Sequence, residues 1–116
     1  MQRHADIAVI GAGIVGLAHA LEAAKRGLSV VLFERNLQAQ GASIRNFGMI
    51  WPIGQAPGKV HQRALRTRDI WLELAAQSGI WCAKTGSLHL AYQPDEWEVI
   101  AEFAALAPKL GFECEL

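Results

Sequence analysis

Apolar positions fall into three rhythms along this chain of 116 residues. From Ile7 to Ile10 they are contiguous and mostly β-branched, the pattern of a short strand buried on both faces. From Ile14 to about Arg26 the spacing becomes helical, and Gly27 follows Lys25 and Arg26, the residue types that suit a helix C-terminus. Ser29 to Phe33 repeats the strand pattern and leads into Glu34. Further on, Val60, Ala64, Trp71, Leu74 and Ala75 share one stripe and predict a helix over Lys59–Ser78. Gly79 to Gln93 returns to strand-like composition. There Trp81–Ala83 and Ser87–Tyr92 flank Lys84-Thr85-Gly86, a stretch suited to turning a short β-hairpin. Pro94 opens a last helix with Asp95 and Glu96 in its favourable first turn. Its stripe is Trp97, Ile100, Phe103, Ala104 and Ala107, and Pro108 and Gly111 are expected to end it. Phe112 to Leu116 reads as the opening of another strand.

The strand–helix–strand order at the start makes the fold class α/β. What gives that order chemical meaning is the link between its first two elements. Gly11, Gly13 and Gly16 stand at the spacing G-x-G-x-x-G between a strand and a helix, and Glu34 closes the second strand 18 residues after Gly16. Gly11 permits the tight turn, Gly13 lets backbone approach a pyrophosphate, and Gly16 lets the helix pack closely on the sheet. The helix directs its free amides and positive dipole end at phosphates. A carboxylate at Glu34 can accept both hydroxyls of a ribose. The expectation is a Rossmann-like βαβ unit that binds the ADP half of a dinucleotide. A glycine-rich turn that binds nothing would explain the glycines but would leave Glu34 unused. Glu34 also disfavours a 2′-phosphate, which makes NADP the least favoured dinucleotide.

The segment from Asn36 to Gly58 is punctuated by glycine and proline and is long for a connection without elements of its own. It leaves the carboxyl end of the second strand, where open α/β sheets bind ligands. Ser43, Arg45 and Asn46 offer hydroxyl, guanidinium and amide groups there. Phe47, Met49, Ile50 and Trp51 offer apolar walls. A surface turn with a hydrophobic anchor is the plainer alternative.

Composition narrows the field. Hydrophobic residues make up 52% and charged residues 19% of the chain, which is globular rather than disordered. Lysine plus arginine equals aspartate plus glutamate at 11 each, so charge gives no reason to expect nucleic acid or an anionic membrane as partner. Arg63, Arg66 and Arg68 read as a solvated helix face. Cys82 and Cys114 form no metal-binding spacing and read as reduced thiols. His4, His19, His61 and His89 are scattered and read as structural or solvated, and no metal is expected. Met1 to Ala20 imitates a secretory leader, with Arg3 and His4 before an apolar stretch. Asp6 interrupts that stretch, however, and cleavage after Ala20 would destroy a complete βαβ unit, so the expected location is cytoplasmic. The apolar run is also too short to span a bilayer.

The βαβ fingerprint together with Gly41-Ala-Ser43-Ile-Arg45-Asn46-Phe-Gly48-Met49 resembles the N-terminal part of the FAD-dependent oxidoreductases of the D-amino-acid oxidase/glycine oxidase (DAO) group. The resemblance follows the whole chain in element order and is most specific in its first fifty residues. The wording Ile-Arg-Asn-Phe-Gly-Met-Ile-Trp-Pro is similar to a bacterial subgroup associated with aminophosphonate breakdown. The resemblance implies that Gly11, Gly13 and Gly16 hold the FAD pyrophosphate. It implies that Glu34 binds the adenosine ribose and that Arg35 lines the adenine side. Ser43, Arg45 and Asn46 would contact the phosphates and ribityl chain, and Gly48 and Met49 would approach the isoalloxazine ring. Enzymes of the group oxidise an amine or amino-acid C–N bond by passing a hydride to the flavin and return the electrons to oxygen or a quinone.

Family members are several-fold longer, and their later sequence supplies the substrate-facing sheet. The expectation is therefore one truncated FAD-binding domain over residues 1–116, with residues 1–35 as its βαβ core. Such a chain is not a competent oxidase alone, and no catalytic residue can be assigned. Two other readings stand beside this one: an NAD-binding dehydrogenase half, and a non-catalytic nucleotide-binding fragment whose incomplete sheet needs a partner or a second copy.

Overall fold

A computed structural model describes residues 4–46 and 48–116. Two compact units emerge, Met1–Met49 and Ile50–Leu116.

The first unit is a βαβ unit. Strand β1 spans Ile7–Ile10, helix α1 Ile14–Lys25 and strand β2 Val30–Phe33. The strands pair in parallel, with Ile7 opposite Val30 and Ile10 opposite Phe33. The ladder reaches one step further, because the Gly11 amide donates to the Phe33 carbonyl at 2.7 Å. Both strands and the helix lie within a residue of their expected limits. At the other end, Asp6 and Ser29 clamp the strand starts together. The Asp6 carboxylate accepts from the Ser29 amide (2.8 Å) and hydroxyl (2.6 Å), and the Asp6 amide donates to the Ser29 carbonyl at 3.0 Å. These bonds hold the Asp6 carboxyl below its usual range, the hydroxyl contributing most.

Helix α1 ends as its sequence dictates. Gly27 is left-handed at φ 79°. Its amide donates to Ala24 at 2.9 Å and the Leu28 amide to Ala23 at 3.1 Å, a double closure that satisfies two terminal carbonyls. Ala23 at that closure is buried. The helix packs on the strands through Gly16. A β-carbon built there would overlap the Gly11 carbonyl oxygen and stand 3.2 Å from its carbon and 3.3 Å from Val9 Cγ1. The closeness of helix to strand is thus set by the missing side chain.

In the second unit, a 3-10 turn at Pro52–Gly54 precedes helices α2 (Lys59–Ser78) and α3 (Pro94–Leu110). Four of the five stripe residues expected on α2 are half-buried, while Val60 is exposed. Ala107 is fully buried and Phe112 nearly so. Around Phe112 lie His61, with ring centroids 4.3 Å apart, and Phe103 at 5.7 Å. His61 is therefore a core residue. Arg63 and Arg66 are exposed, and Arg68 pairs with its neighbour Asp69 at 2.9 Å. Such a surface pair adds little stability.

Two expectations fail in this unit. Pro108 does not end α3. The helix runs on to Leu110 and closes with Gly111 donating to the Pro108 carbonyl (3.2 Å) and Phe112 to Ala107 (2.9 Å). Proline removes only one amide from the ladder, so the last turn tolerates it, and the terminal closure serves the Ala107 and Pro108 carbonyls. Nor does Gly79–Gln93 form a hairpin, for no strand ladder occurs there. The alternation is present, but Leu88 and Leu90 on its apolar side are exposed. His89 on the other side stacks on Trp51 at 5.8 Å. A two-stranded hairpin with an uncovered apolar face is marginal in water.

Candidate functional site

The carboxyl ends of β1 and β2 open into a concavity of about 690 Å³ in the first unit. Gly11 and Gly13 form one wall, and Glu34, Arg35 and Asn36 form another. Arg45 closes it from the segment that follows β2. Five of the ten residues singled out in the sequence thus line one cavity: Gly11, Gly13, Glu34, Arg35 and Arg45.

Glu34 organises this floor. One carboxylate oxygen, Oε2, accepts the Ala12 amide at 2.9 Å, bridging the end of β2 to the glycine loop. The other, Oε1, accepts the Asn36 amide (3.1 Å) and the Asn36 side-chain Nδ2 (3.2 Å). The Ala12 amide and then the Asn36 amide hold this carboxyl below its usual range. Glu34 is thus an anion at neutral pH and an acceptor for hydroxyl donors.

Ser43 also has a part within the fold. It sits in a 3-10 turn, Ala42–Ile44, and its Oγ accepts the Ile14 amide at 2.9 Å. Ile14 is the first residue of α1, and Gly13 before it has no side chain to cap the helix. A serine 29 residues further on supplies the cap. A Gly13 β-carbon would come within 3.2 Å of that oxygen, so Gly13 also makes room for Ser43.

The remaining residues stand apart from the cavity lining. Gly16 works through helix packing, as described above. Asn46 Oδ1 accepts the Gly48 amide at 2.9 Å, a local turn in which the side chain stands in for backbone. Met49 is exposed. Ile50 and Trp51, expected as apolar walls, belong to the second unit, where Trp51 stacks on His89. Phe47 and Arg3 lie outside the described residues. Sequence reasoning missed Asn36 and Gln40, both of which line the cavity. The signal for Asn36 was available: an amide donor two residues after a carboxylate at a strand end.

A glycine loop, a helix start and an anionic carboxylate facing one cavity are the geometry of a nucleotide cradle, and the family model that matches residues 6–116 is that of the FAD dependent oxidoreductases, DAO. The chain belongs to that family. Its cofactor is therefore FAD. Among curated proteins, the D-amino-acid oxidase of Streptomyces coelicolor is 35% identical over 79 residues. The match covers 67% of this chain and 25% of that relative, so the chain spans only part of the length of the enzyme it resembles. No solved structure matches. No helix among the described residues is long and apolar enough to cross a membrane.

Proposed function

We propose that this chain forms the adenine-nucleotide side of an FAD site in an oxidoreductase acting on an amine or amino-acid C–N bond. The observation that carries the reading is the shared cavity of Gly11, Gly13, Glu34, Arg35 and Arg45. That donor set fits the ADP half of FAD. Backbone amides and the start of α1 suit the pyrophosphate. Arg45 suits a phosphate oxygen, and Glu34 suits ribose hydroxyls. Arg35 offers a planar cation for the adenine side. Ser43, Asn46, Gly48 and Met49 follow in the same segment and are assigned toward the phosphates, ribityl chain and flavin ring.

When bound, FAD supplies the redox chemistry by accepting a hydride from the C–H beside the substrate nitrogen. This chain's part is to bind and orient. Glu34 fixes the glycine loop through Ala12, and Ser43 fixes the following segment against the start of α1. An aminophosphonate is the narrower substrate candidate and rests on the Ile44–Pro52 wording alone. A cytoplasmic location fits two exposed free thiols, Cys82 and Cys114.

An absorption scan and FAD titration of the purified chain test the reading. A flavin spectrum that co-purifies, or saturable FAD binding, supports it. A colourless protein that binds NADH and ignores FAD overturns it in favour of a dehydrogenase half. Binding of neither leaves a non-catalytic fragment.

A further inference from the structure

Glu34 has fewer open positions than a ribose needs. An ionised carboxylate offers about four acceptor positions. At least three are occupied: Oε2 by the Ala12 amide, and Oε1 by both the amide and the side chain of Asn36, with the Arg35 amide also directed at the carboxylate. At most one position remains, on Oε2. A ribose 2′,3′-diol brings two hydroxyl donors. Asn36 resolves the mismatch. A carboxylate only accepts, so the NH₂ end of the Asn36 carboxamide must face Glu34 and its carbonyl Oδ1 must face away from it. Asn36 lines the same cavity as Glu34.

We propose that Asn36 is the second half of a diol receiver: Glu34 Oε2 accepts one ribose hydroxyl and Asn36 Oδ1 accepts the other. The proposal rests on the nucleotide reading above and adds to it a specificity residue. The two side chains act as one unit, because the bond from Asn36 Nδ2 to Glu34 fixes which end of the amide is offered to the ligand. A ligand without one hydroxyl leaves one of two polar groups unpaired, and the two groups lose different hydroxyls.

Isothermal titration of the full chain with ADP, 2′-deoxy-ADP and 3′-deoxy-ADP tests this. The wild-type chain is expected to bind ADP roughly 2- to 10-fold more tightly than either deoxy analogue, the range for one hydrogen bond. N36A is expected to lose discrimination against one analogue and keep it against the other. N36L, which keeps the branching of the side chain and has no polar atom, must do the same, with circular dichroism matching wild type. E34A is expected to lose more affinity for ADP than either Asn36 variant. If N36A and N36L keep both discriminations, or weaken all three nucleotides by the same factor, the role of Asn36 is overturned and the nucleotide site stands. If the wild-type chain binds none of the three, or E34A binds all three as wild type does, the nucleotide reading falls and Asn36 with it.

Discussion

Replacing Gly16 by alanine sets two known effects against each other. In an open helix interior the change would stabilise by about 1 kcal/mol, since alanine is the better helix former. At this position the new methyl overlaps the Gly11 carbonyl oxygen and crowds its carbon and Val9 Cγ1. None of these atoms is the far end of a flexible side chain. Two are backbone in the turn, and the third is a short side chain on β1. Restoring ordinary contact near 3.5 Å requires α1 to retreat by on the order of 1 Å. Overpacking costs about 1–3 kcal/mol, and because the overlap is with backbone that cannot swing aside the cost lies toward the upper end, so the steric effect wins. The expected result is a net loss of up to about 2 kcal/mol, or a fall of up to roughly 1 M in the urea midpoint at a slope of about 2 kcal/mol per M. Far-UV circular dichroism during urea titration reads it. FAD affinity should fall in the same variant, because retreat of α1 withdraws the helix start from the cavity. An equal or higher midpoint for G16A would refute the argument that this glycine exists for close packing.

Four further outcomes are expected. Ser43→Ala removes the cap on Ile14 and should cost about 1 kcal/mol of stability by thermal or urea unfolding; an unchanged midpoint would mean that water caps α1 equally well. Glu34→Ala should weaken FAD binding roughly tenfold or more in a fluorescence-quench titration, the scale for hydrogen bonds to a charged acceptor; wild-type affinity would count against the ribose assignment. Asp6 has its carboxyl pKa lowered by Ser29, so its contribution is present above the unfolded value and lost as pH falls through the folded one. Asp6→Asn should therefore be less stable than wild type near neutrality, with the gap closing below about pH 4, and a pH-independent gap would refute the clamp. We also expect self-association of the uncovered sheet, since Ile10 and Phe33 at its cavity end are exposed; sedimentation showing only monomer from low to high micromolar concentration would exclude it.

The parts of this chain that were legible in advance are those whose interactions are local or whose partners are fixed by a motif. β1, α1 and β2 followed from apolar runs and from Gly11, Gly16 and Gly27, each of which does its work within a few residues or against the adjacent strand. The end of α3 followed from Gly111, which stops a helix whatever surrounds it, and that of α2 from the change of pattern at Gly79. The hairpin was not legible, because alternation at Leu88, Leu90 and Tyr92 states a preference for extended backbone but not the existence of a surface to lie on. Pro108 was overread, because a proline in the last turn removes only one ladder bond, and the helix stops where Gly111 turns left-handed. Within the site, Glu34 was legible from position alone. That Ser43 caps α1 was not, since a cap supplied from 29 residues away leaves no mark at the helix start beyond the absence of a capping side chain at Gly13.

The parallel ladder has a kinetic consequence. All four strand pairs join residues 23 apart, so no pair is nearer in sequence than another and none can form first at low entropic cost. The ladder cannot zip outward from a turn as an antiparallel ribbon does. Closing a loop of that length costs about 3 kcal/mol in chain entropy before the first bond repays it. Prior coiling of Ile14–Lys25 shortens the distance to be closed, and contact of Gly16 with Gly11 sets the register as the strands meet. The transition state for this unit therefore contains α1 and the whole ladder together. Substitutions at Ile7 and at Val9 should slow folding by similar fractions of their equilibrium cost, however far each lies from the cavity.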